Sequence, residues 1–301
     1  MSLIEIKNIT KDYGHGRGNF GVNLSVEKGE TIGFVGTNGA GKTTLIRQMM
    51  GFLKSDSGTI KINGLDAWKD SAEIKKLTGY LPGEIAFPDA PTGAIFLKRQ
   101  AELLGLKDMS YADYITKKLQ LDPTAVLKRM SKGMKQKTAI VAAFMADREI
   151  LIMDEPTTGL DPLMRAEFVD IINAERAKGK TIFMSNHMFE EMEATCDRVA
   201  LIKDGKIVAV KATKEIKYNQ DKTYVVGFAT TEDFKRFLSE SFDFSTRNAE
   251  KKRLTINVHD NEINRFMHTL KNYDVQFISE TKYTLEQYFK NLYTGGADHV
   301  Q

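Results

Sequence analysis

The chain reads as an α/β fold followed by a smaller α+β domain, on three observations. A glycine-rich turn, Gly36-Thr37-Asn38-Gly39-Ala40-Gly41-Lys42-Thr43, separates the apolar strand Thr31 to Val35 from a helix running from Thr44 onward. A second apolar run, Ile150 to Met153, ends in the acid pair Asp154-Glu155. Beyond a polar, lysine-rich connector at Lys211 to Asp221, the periodicity spells β-α-β-β-α-β. With 301 residues, 42% of them hydrophobic, the chain can build about two domains with real cores. They are expected at residues 1–220 and 221–301.

Composition narrows the classes. Net charge is +3, from 43 basic and 40 acidic residues, and the basic residues are scattered, so there is no electrostatic footprint for nucleic acid. The longest apolar run, Ala139 to Ala146, falls far short of the roughly 18 residues a membrane span needs. No hydrophobic signal region follows Met1, so a soluble, non-secreted protein is expected. A lone Cys196 excludes an internal disulfide framework and reads as a small buried side chain in a reducing compartment.

The first glycine cluster, Gly16-Arg17-Gly18-Asn19-Phe20-Gly21, fits the dinucleotide pattern G-x-G-x-x-G. That fingerprint must follow a strand and open a helix. Here Val22 to Val26 alternates like a strand and closes in the turn Glu27-Lys28-Gly29-Glu30, so a flexible loop between two strands is expected. That loop lies close in sequence to Tyr13, with Arg17 as a candidate phosphate neighbour.

The second cluster satisfies every fixed position of the phosphate-binding loop G-x-x-x-x-G-K-[ST], and it lies between strand and helix as the chemistry requires. Gly36, Gly39 and Gly41 let the backbone curl, so that N–H groups along Asn38 to Thr44 point at phosphate oxygens. The helix adds its free N–H groups and positive dipole end. Lys42 can reach the β- and γ-phosphates of ATP, and the Thr43 hydroxyl can hold Mg²⁺.

Residues 85 to 145 read as mostly helical, with Ile95 to Leu106 and Tyr111 to Leu121 apolar at helical spacing. Within this stretch Ser131 opens a helix, and Gly133 permits close approach of a phosphate. They can form an anion site, although read alone a plain helix cap with no ligand fits them better. Four apolar residues before Asp154 mark a strand buried on both faces, as in a parallel sheet. Asp154 at its C-terminal end can reach Mg²⁺, and Glu155 can polarise a water attacking the γ-phosphate. Two solvated acids at a strand end remain the alternative. His187 follows the strand Thr181 to Met184 and emerges at the same edge. His15, His259, His268 and His299 have no second ligand at metal spacing.

The order of phosphate loop, Ser131-Lys132-Gly133-Met134-Lys135-Gln136, the Asp154 strand, Thr158-Gly159-Leu160-Asp161 and Ser185-Asn186-His187 resembles the ATP-binding-cassette (ABC) ATPases. The resemblance covers about residues 1 to 215. It implies an ABC-type fold, with a mixed core sheet, an antiparallel β subdomain and an inserted helical subdomain at about 85–145. It also implies an ATPase acting as a head-to-tail homodimer or heterodimer, in which the signature at Ser131 and Gly133 covers ATP held by the partner's phosphate loop. Further implications are Tyr13 as an adenine-stacking aromatic, against a plain packing tyrosine, Asp161 in the D-loop, and His187 as γ-phosphate sensor. The family resemblance places the chain in the cytoplasm, peripheral on the inner face of the cell membrane beside a separate permease, where Ala86, Phe87 and Pro88 can offer a docking surface.

Two departures stand out. Lys132 and Met134 flank Gly133 where the commonest signature has a glycine pair, and Met130 replaces a leucine. This variant resembles bacterial type-2 exporters of drugs, antimicrobial peptides or lipids, which implies export; an importer subunit or a soluble, non-transport ABC ATPase is the alternative. Gly83 and Glu84 occupy the place of the family's loop glutamine. Glu84 can supply a carboxylate oxygen to Mg²⁺, or it can point to solvent or to the permease while water fills the gap. The C-terminal order is the ferredoxin-like one, with strands at Thr223 to Phe228, Phe242 to Thr246, Arg253 to Val258 and Val275 to Glu280, and with no catalytic cluster.

Overall fold

The computed structural model describes residues 2–217, 221–281 and 284–294. Internal contacts divide the chain into two compact units, Met1–Ala212 and Thr213–Gln301. The division falls ahead of residue 220, because the expected connector at Lys211 to Asp221 is partly ordered structure. Strand β10 runs to Ala212 and a short helix follows, while 218–220 lie outside the described residues.

The first unit opens with β1 (Ser2–Asp12), β2 (Gly18–Glu27) and β3 (Thr31–Val35), then α1 (Lys42–Met49). Next come β4 (Ser57–Ile62), β5 (Leu65–Asp66), α2 (Ser71–Leu77) and β6 (Thr78–Leu81). The helical insert contains α3 (Gly93–Leu103), α4 (Ser110–Lys118) and α5 (Lys132–Phe144). The chain returns through β7 (Ile150–Asp154), α6 (Pro162–Ala177), β8 (Thr181–Asn186) and α7 (Phe189–Thr195) to the hairpin β9 (Arg198–Lys203) and β10 (Lys206–Ala212). No helix follows Gly21, so the first glycine cluster belongs to a strand-to-strand turn and to β2.

Two sheets form. One has the order β10-β9-β3-β8-β7-β6, parallel from β9 to β6 with β10 antiparallel at the edge; the other is the antiparallel β2-β1-β4-β5. Every residue of β3, β7 and β8 is buried, which explains why these strands read as unbroken apolar runs. In β2, buried and exposed residues alternate from Val22 to Glu27, because only one face meets the core. Ile4, Val22, Phe34, Leu45, Ile60, Ile152 and Phe183 share one core between the sheets and α1. Phe34 and Phe183 pack as a tilted pair with centroids 5.5 Å apart and are fully buried, so truncating either to alanine costs about 3–5 kcal/mol. Cys196 is buried with its thiol pushed up to about 12 by burial, an inert core side chain.

The second unit comprises α8 (Thr213–Lys217), β11 (Asp221–Phe228), α9 (Thr231–Phe237), β12 (Asp243–Asn248), β13 (Arg253–His259), α10 (Ile263–Leu270), β14 (Val275–Thr281) and α11 (Leu285–Thr294). Its sheet has the order β12-β13-β11-β14 with all neighbours antiparallel, the split βαβ arrangement. Tyr224, Val226 and Phe228 alternate with Val225 and Gly227, and they pack with Leu254, Ile256, Phe237 and Phe266 into a separate core.

Candidate active site

Parallel pairing sets Val35 opposite Asn186 and Asp154 opposite Ser185, so the segments leaving β3, β7 and β8 emerge along one sheet edge. A cavity of about 500 Å³ opens there. Its lining is made by Tyr13, Arg17 and Gly18, by Asn38, Gly39, Gly41, Lys42, Thr43 and Thr44 of the phosphate loop and α1, and by Gly83, Glu84, Asp154 and Glu155.

The phosphate loop owes its shape to its glycines. Gly39 and Gly41 have φ of 82° and 106°, where a side chain is strained, and a Cβ on Gly36 would stand 2.5 Å from the Ile202 carbonyl. Helix α1 begins at Lys42, two residues ahead of the expected start at Thr44. Its N-cap is Gly41 with no side-chain cap, so the first-turn N–H groups remain available for an anion. Lys42 is only 5% exposed; its Nζ donates to the carbonyls of Gly36 at 2.7 Å and Thr37 at 3.2 Å, and lies 3.4 Å from Glu155 Oε1.

Asp154 is buried. Its Oδ1 accepts from Ser185 Oγ at 2.5 Å, and its Oδ2 has no partner. A buried carboxylate oxygen without a donor is costly unless a cation or water completes it. Thr43 lines the same cavity, so a hard cation with oxygen ligands fits this donor set. The described residues contain no cluster of three His, Cys, Asp or Glu able to cage a metal alone, and one carboxylate with a hydroxyl suits a Mg²⁺ that brings phosphate oxygens with it. Gly83, rather than Glu84, lies against Asp154: a Cβ there would be 2.8 Å from Oδ2. Glu84 is highly exposed and its Oε2 is 3.8 Å from Arg47. Tyr80, pushed up to about 12 by burial first and by the Asp154 charge second, stays a neutral phenol.

Glu155 adopts a left-handed backbone, φ 46°, at a cost on the order of 1 kcal/mol. Its N–H is held by the Ser185 carbonyl at 3.2 Å and by Ser185 Oγ at 3.0 Å. Its Oε2 accepts from Thr158 Oγ1 at 3.2 Å and stands 3.6 Å from His187 Nδ1. His187 is thus beside Glu155, although it does not line the cavity.

Ser131, Gly133 and Asp161 also lie outside the cavity lining. Ser131 caps α5, its Oγ accepting from Met134 N–H at 3.2 Å, and Asp161 caps α6, accepting from Met164 N–H at 3.0 Å. Gly133 packs on the D-loop of its own chain, where a Cβ would meet the Gly159 carbonyl at 2.8 Å. The segments of Ser131 to Gln136 and Thr158 to Asp161 are therefore in mutual contact.

The model of the ABC transporter family matches residues 20–158. The ABC transporter ATP-binding protein NatA of Bacillus subtilis is 34% identical over 221 residues, covering 68% of this chain and 87% of that protein. The chain belongs to the ABC transporter ATP-binding protein family. The bacitracin transport ATP-binding protein BcrA of Bacillus licheniformis is likewise 34% identical to this ABC subunit, over 69% of each chain, and the linearmycin resistance ATP-binding protein LnrL of Bacillus subtilis is 34% identical over 213 residues. A solved ATP-binding subunit of an ABC transporter superposes with a TM-score of 0.66 at 28% identity, covering 72% of this chain and 92% of that one. A dimeric bacterial ABC transporter cassette shares the fold, with a TM-score of 0.63 at 21% identity. Among the described residues no helix of this ABC subunit is long and apolar enough to cross a membrane.

Sequence reasoning named Ser185 and Asn186 only as neighbours of His187 in its motif and passed over Glu191, yet all three shape the site. Ser185 is the only hydroxyl opposite Asp154 in the register, and a polar residue ending an apolar strand was its signal. Asn186 Oδ1 accepts the N–H groups of His187 at 2.7 Å and Met188 at 3.0 Å. Glu191 Oε2 then accepts from Asn186 Nδ2 at 2.5 Å and Thr157 Oγ1 at 2.7 Å, a tertiary link with no local pattern.

Proposed function

We propose that this ABC ATPase hydrolyses ATP at the Lys42–Glu155 cavity to drive export through a separate permease. The observation that carries the hydrolytic reading is Glu155: its strained backbone is anchored to Ser185, and its carboxylate sits between Lys42 at 3.4 Å and His187 at 3.6 Å. Lys42 leaves the loop carbonyls and Glu155 for the incoming phosphates, which frees Glu155 to take a proton from an attacking water. His187 faces the same carboxylate and is placed to report the γ-phosphate. Tyr13 and Arg17 supply an aromatic face and a cation to the cavity lining. Thr43 and Asp154 would hold Mg²⁺, with Glu84 able to join them; bound with the nucleotide, the ion neutralises charge developing on the phosphates.

Ser131, Gly133 and Asp161 complete the site only from a second subunit, homologous or identical, packed head to tail. Export is supported by the Ser131 to Gln136 signature variant and by the drug-resistance and antibiotic-transport names of LnrL and BcrA. Permease docking is supported by an open groove of about 480 Å³ in which Ile85, Phe87 and Pro88 face Leu127. Such a subunit works at the cytoplasmic face of the membrane.

Glu155→Gln is expected to keep ATP binding, to lower turnover on the order of 10²-fold or more, and to trap an ATP-bound dimer in sedimentation. Lys42→Ala is expected to abolish binding. A Glu155→Gln chain that stays monomeric at saturating ATP, or that turns over normally, refutes the assignment.

A further inference from the structure

The first glycine cluster packs against the phosphate loop. Asn19, the second residue of β2, is fully buried, and its Nδ2 donates to the Gly41 carbonyl at 3.2 Å. That carbonyl also accepts the Leu45 N–H at 3.1 Å, so both its lone pairs are taken. A Cβ on Gly41 would stand 2.5 Å from Asn19 Nδ2 and 2.8 Å from the Gly18 carbonyl, so the amide is pressed against this peptide. One residue earlier, the Ala40 carbonyl accepts the Gly205 N–H at 3.1 Å, and the Gly205 carbonyl accepts the Phe20 N–H at 2.8 Å.

These bonds have a directional consequence. In a planar trans peptide the carbonyl and the following N–H point opposite ways. Holding the Ala40 carbonyl outward turns the Gly41 N–H toward the cavity, and holding the Gly41 carbonyl does the same for Lys42. Meanwhile Asn19 Oδ1 is buried without a partner. An unpaired buried oxygen is destabilising, so burial alone favours an apolar side chain at this position.

We propose that Asn19 is a positioning residue for nucleotide binding: its amide, together with the Gly205 N–H, pre-aims the N–H groups of Gly41 and Lys42 at the phosphates. Preorganisation of this kind lowers the ordering cost of binding and leaves the hydrolytic step to Glu155. The placement separates affinity from stability, because the amide helps the loop while its orphan oxygen weakens the fold.

The test titrates the full-length protein with a fluorescent ATP analogue, alongside thermal unfolding and steady-state ATPase assays, for Asn19→Leu, Asn19→Asp and Lys42→Ala. Asn19→Leu is expected to raise Kd and KM about 3- to 10-fold, the scale of one hydrogen bond, while its unfolding temperature is unchanged or higher and kcat shifts less than KM. Asn19→Asp, which turns a carboxylate oxygen on the Gly41 carbonyl, should bind more weakly than Asn19→Leu. Wild-type affinity in Asn19→Leu, or an affinity loss accompanied by a lower unfolding temperature, overturns the proposal. Were Lys42→Ala to bind normally in the same titration, the phosphate-loop assignment would fall and the role of Asn19 with it.

Discussion

Ser185 Oγ donates to Asp154 Oδ1 at 2.5 Å and leaves Oδ2 of that carboxylate buried and unpartnered against Gly83. The same hydroxyl oxygen accepts the Glu155 N–H at 3.0 Å, so one serine on β8 fixes both acids at the end of β7. The pairing register alone brings it there.

Ser185→Ala should therefore loosen the metal-side carboxylate and the strained Glu155 peptide together. The Mg²⁺ concentration for half-maximal ATPase activity is expected to rise about 10-fold or more, the usual cost of losing a partner behind a metal ligand. An unchanged Mg²⁺ titration curve would show that Asp154 is held without the hydroxyl.

Glu191 ties the loops of Glu155 and His187 to one point, since its Oε2 serves both Thr157 and Asn186. Small displacements of catalytic groups are expensive in rate. Glu191→Ala is expected to lower kcat on the order of 10-fold or more with little change in KM. Glu191→Gln keeps an acceptor oxygen for both donors and should recover most of the rate. Wild-type kcat in the alanine variant would sink this role, as would a glutamine variant no better than alanine.

The helical insert is bound to the core through ions. Tyr111 of α4 donates to Glu175 Oε1 at 2.5 Å, and Glu175 also pairs with Lys178 at 2.7 Å and with the buried Lys180. Burial pushes the Glu175 carboxyl upward, but hydrogen bonds from Lys178, Lys180 and Tyr111 outweigh it and hold the group below the ordinary carboxylate range. Because the folded value is depressed, this stabilisation is complete above the unfolded value and disappears as pH falls through the lower, folded one. Glu175→Ala takes the buried partner from Lys180, which keeps only the half-exposed Asp147, at about 1–3 kcal/mol near neutrality. Urea unfolding at pH 7 and again between pH 5 and 3 should show a less stable variant with a shallower acid slope; a slope equal to wild type would count against the pairing.

What could be read in advance follows from locality. The strands at Thr31 and Ile150 are buried on both faces and advertise themselves as apolar runs, and the phosphate loop is legible because only glycine tolerates its φ values. The start of α1 was misplaced by two residues because its cap is Gly41, with no Ser, Thr, Asp or Asn to signal it. The roles of Asn19, Ser185 and Glu191 could not be read in advance because each acts through partners brought near by the fold, such as Gly41 against Asn19 or Asp154 against Ser185. His187 stood out by following an apolar strand to the Asp154 edge, and only its sensor role came from the family order of motifs. Gly133 was singled out for phosphate approach, yet its contact with Gly159 supplies an independent reason for glycine there.

Glu84 presents the last test. Its carboxylate lines the cavity wall but faces Arg47 at 3.8 Å, with side-chain exposures of 92% and 49%. An ion pair this exposed contributes at most about 1 kcal/mol, so releasing Glu84 toward a cation costs little. Arg47 and Mg²⁺ then compete for one carboxylate. Glu84→Ala is expected to raise the Mg²⁺ concentration for half-maximal ATPase activity, because a hard oxygen ligand is lost. Arg47→Ala is expected to lower it, since the competing cation is gone. Opposite shifts in the two variants identify Glu84 as the residue that joins Thr43 and Asp154 at the metal. If neither variant moves the Mg²⁺ curve, the glutamate is a surface charge and water fills the place beside Gly83.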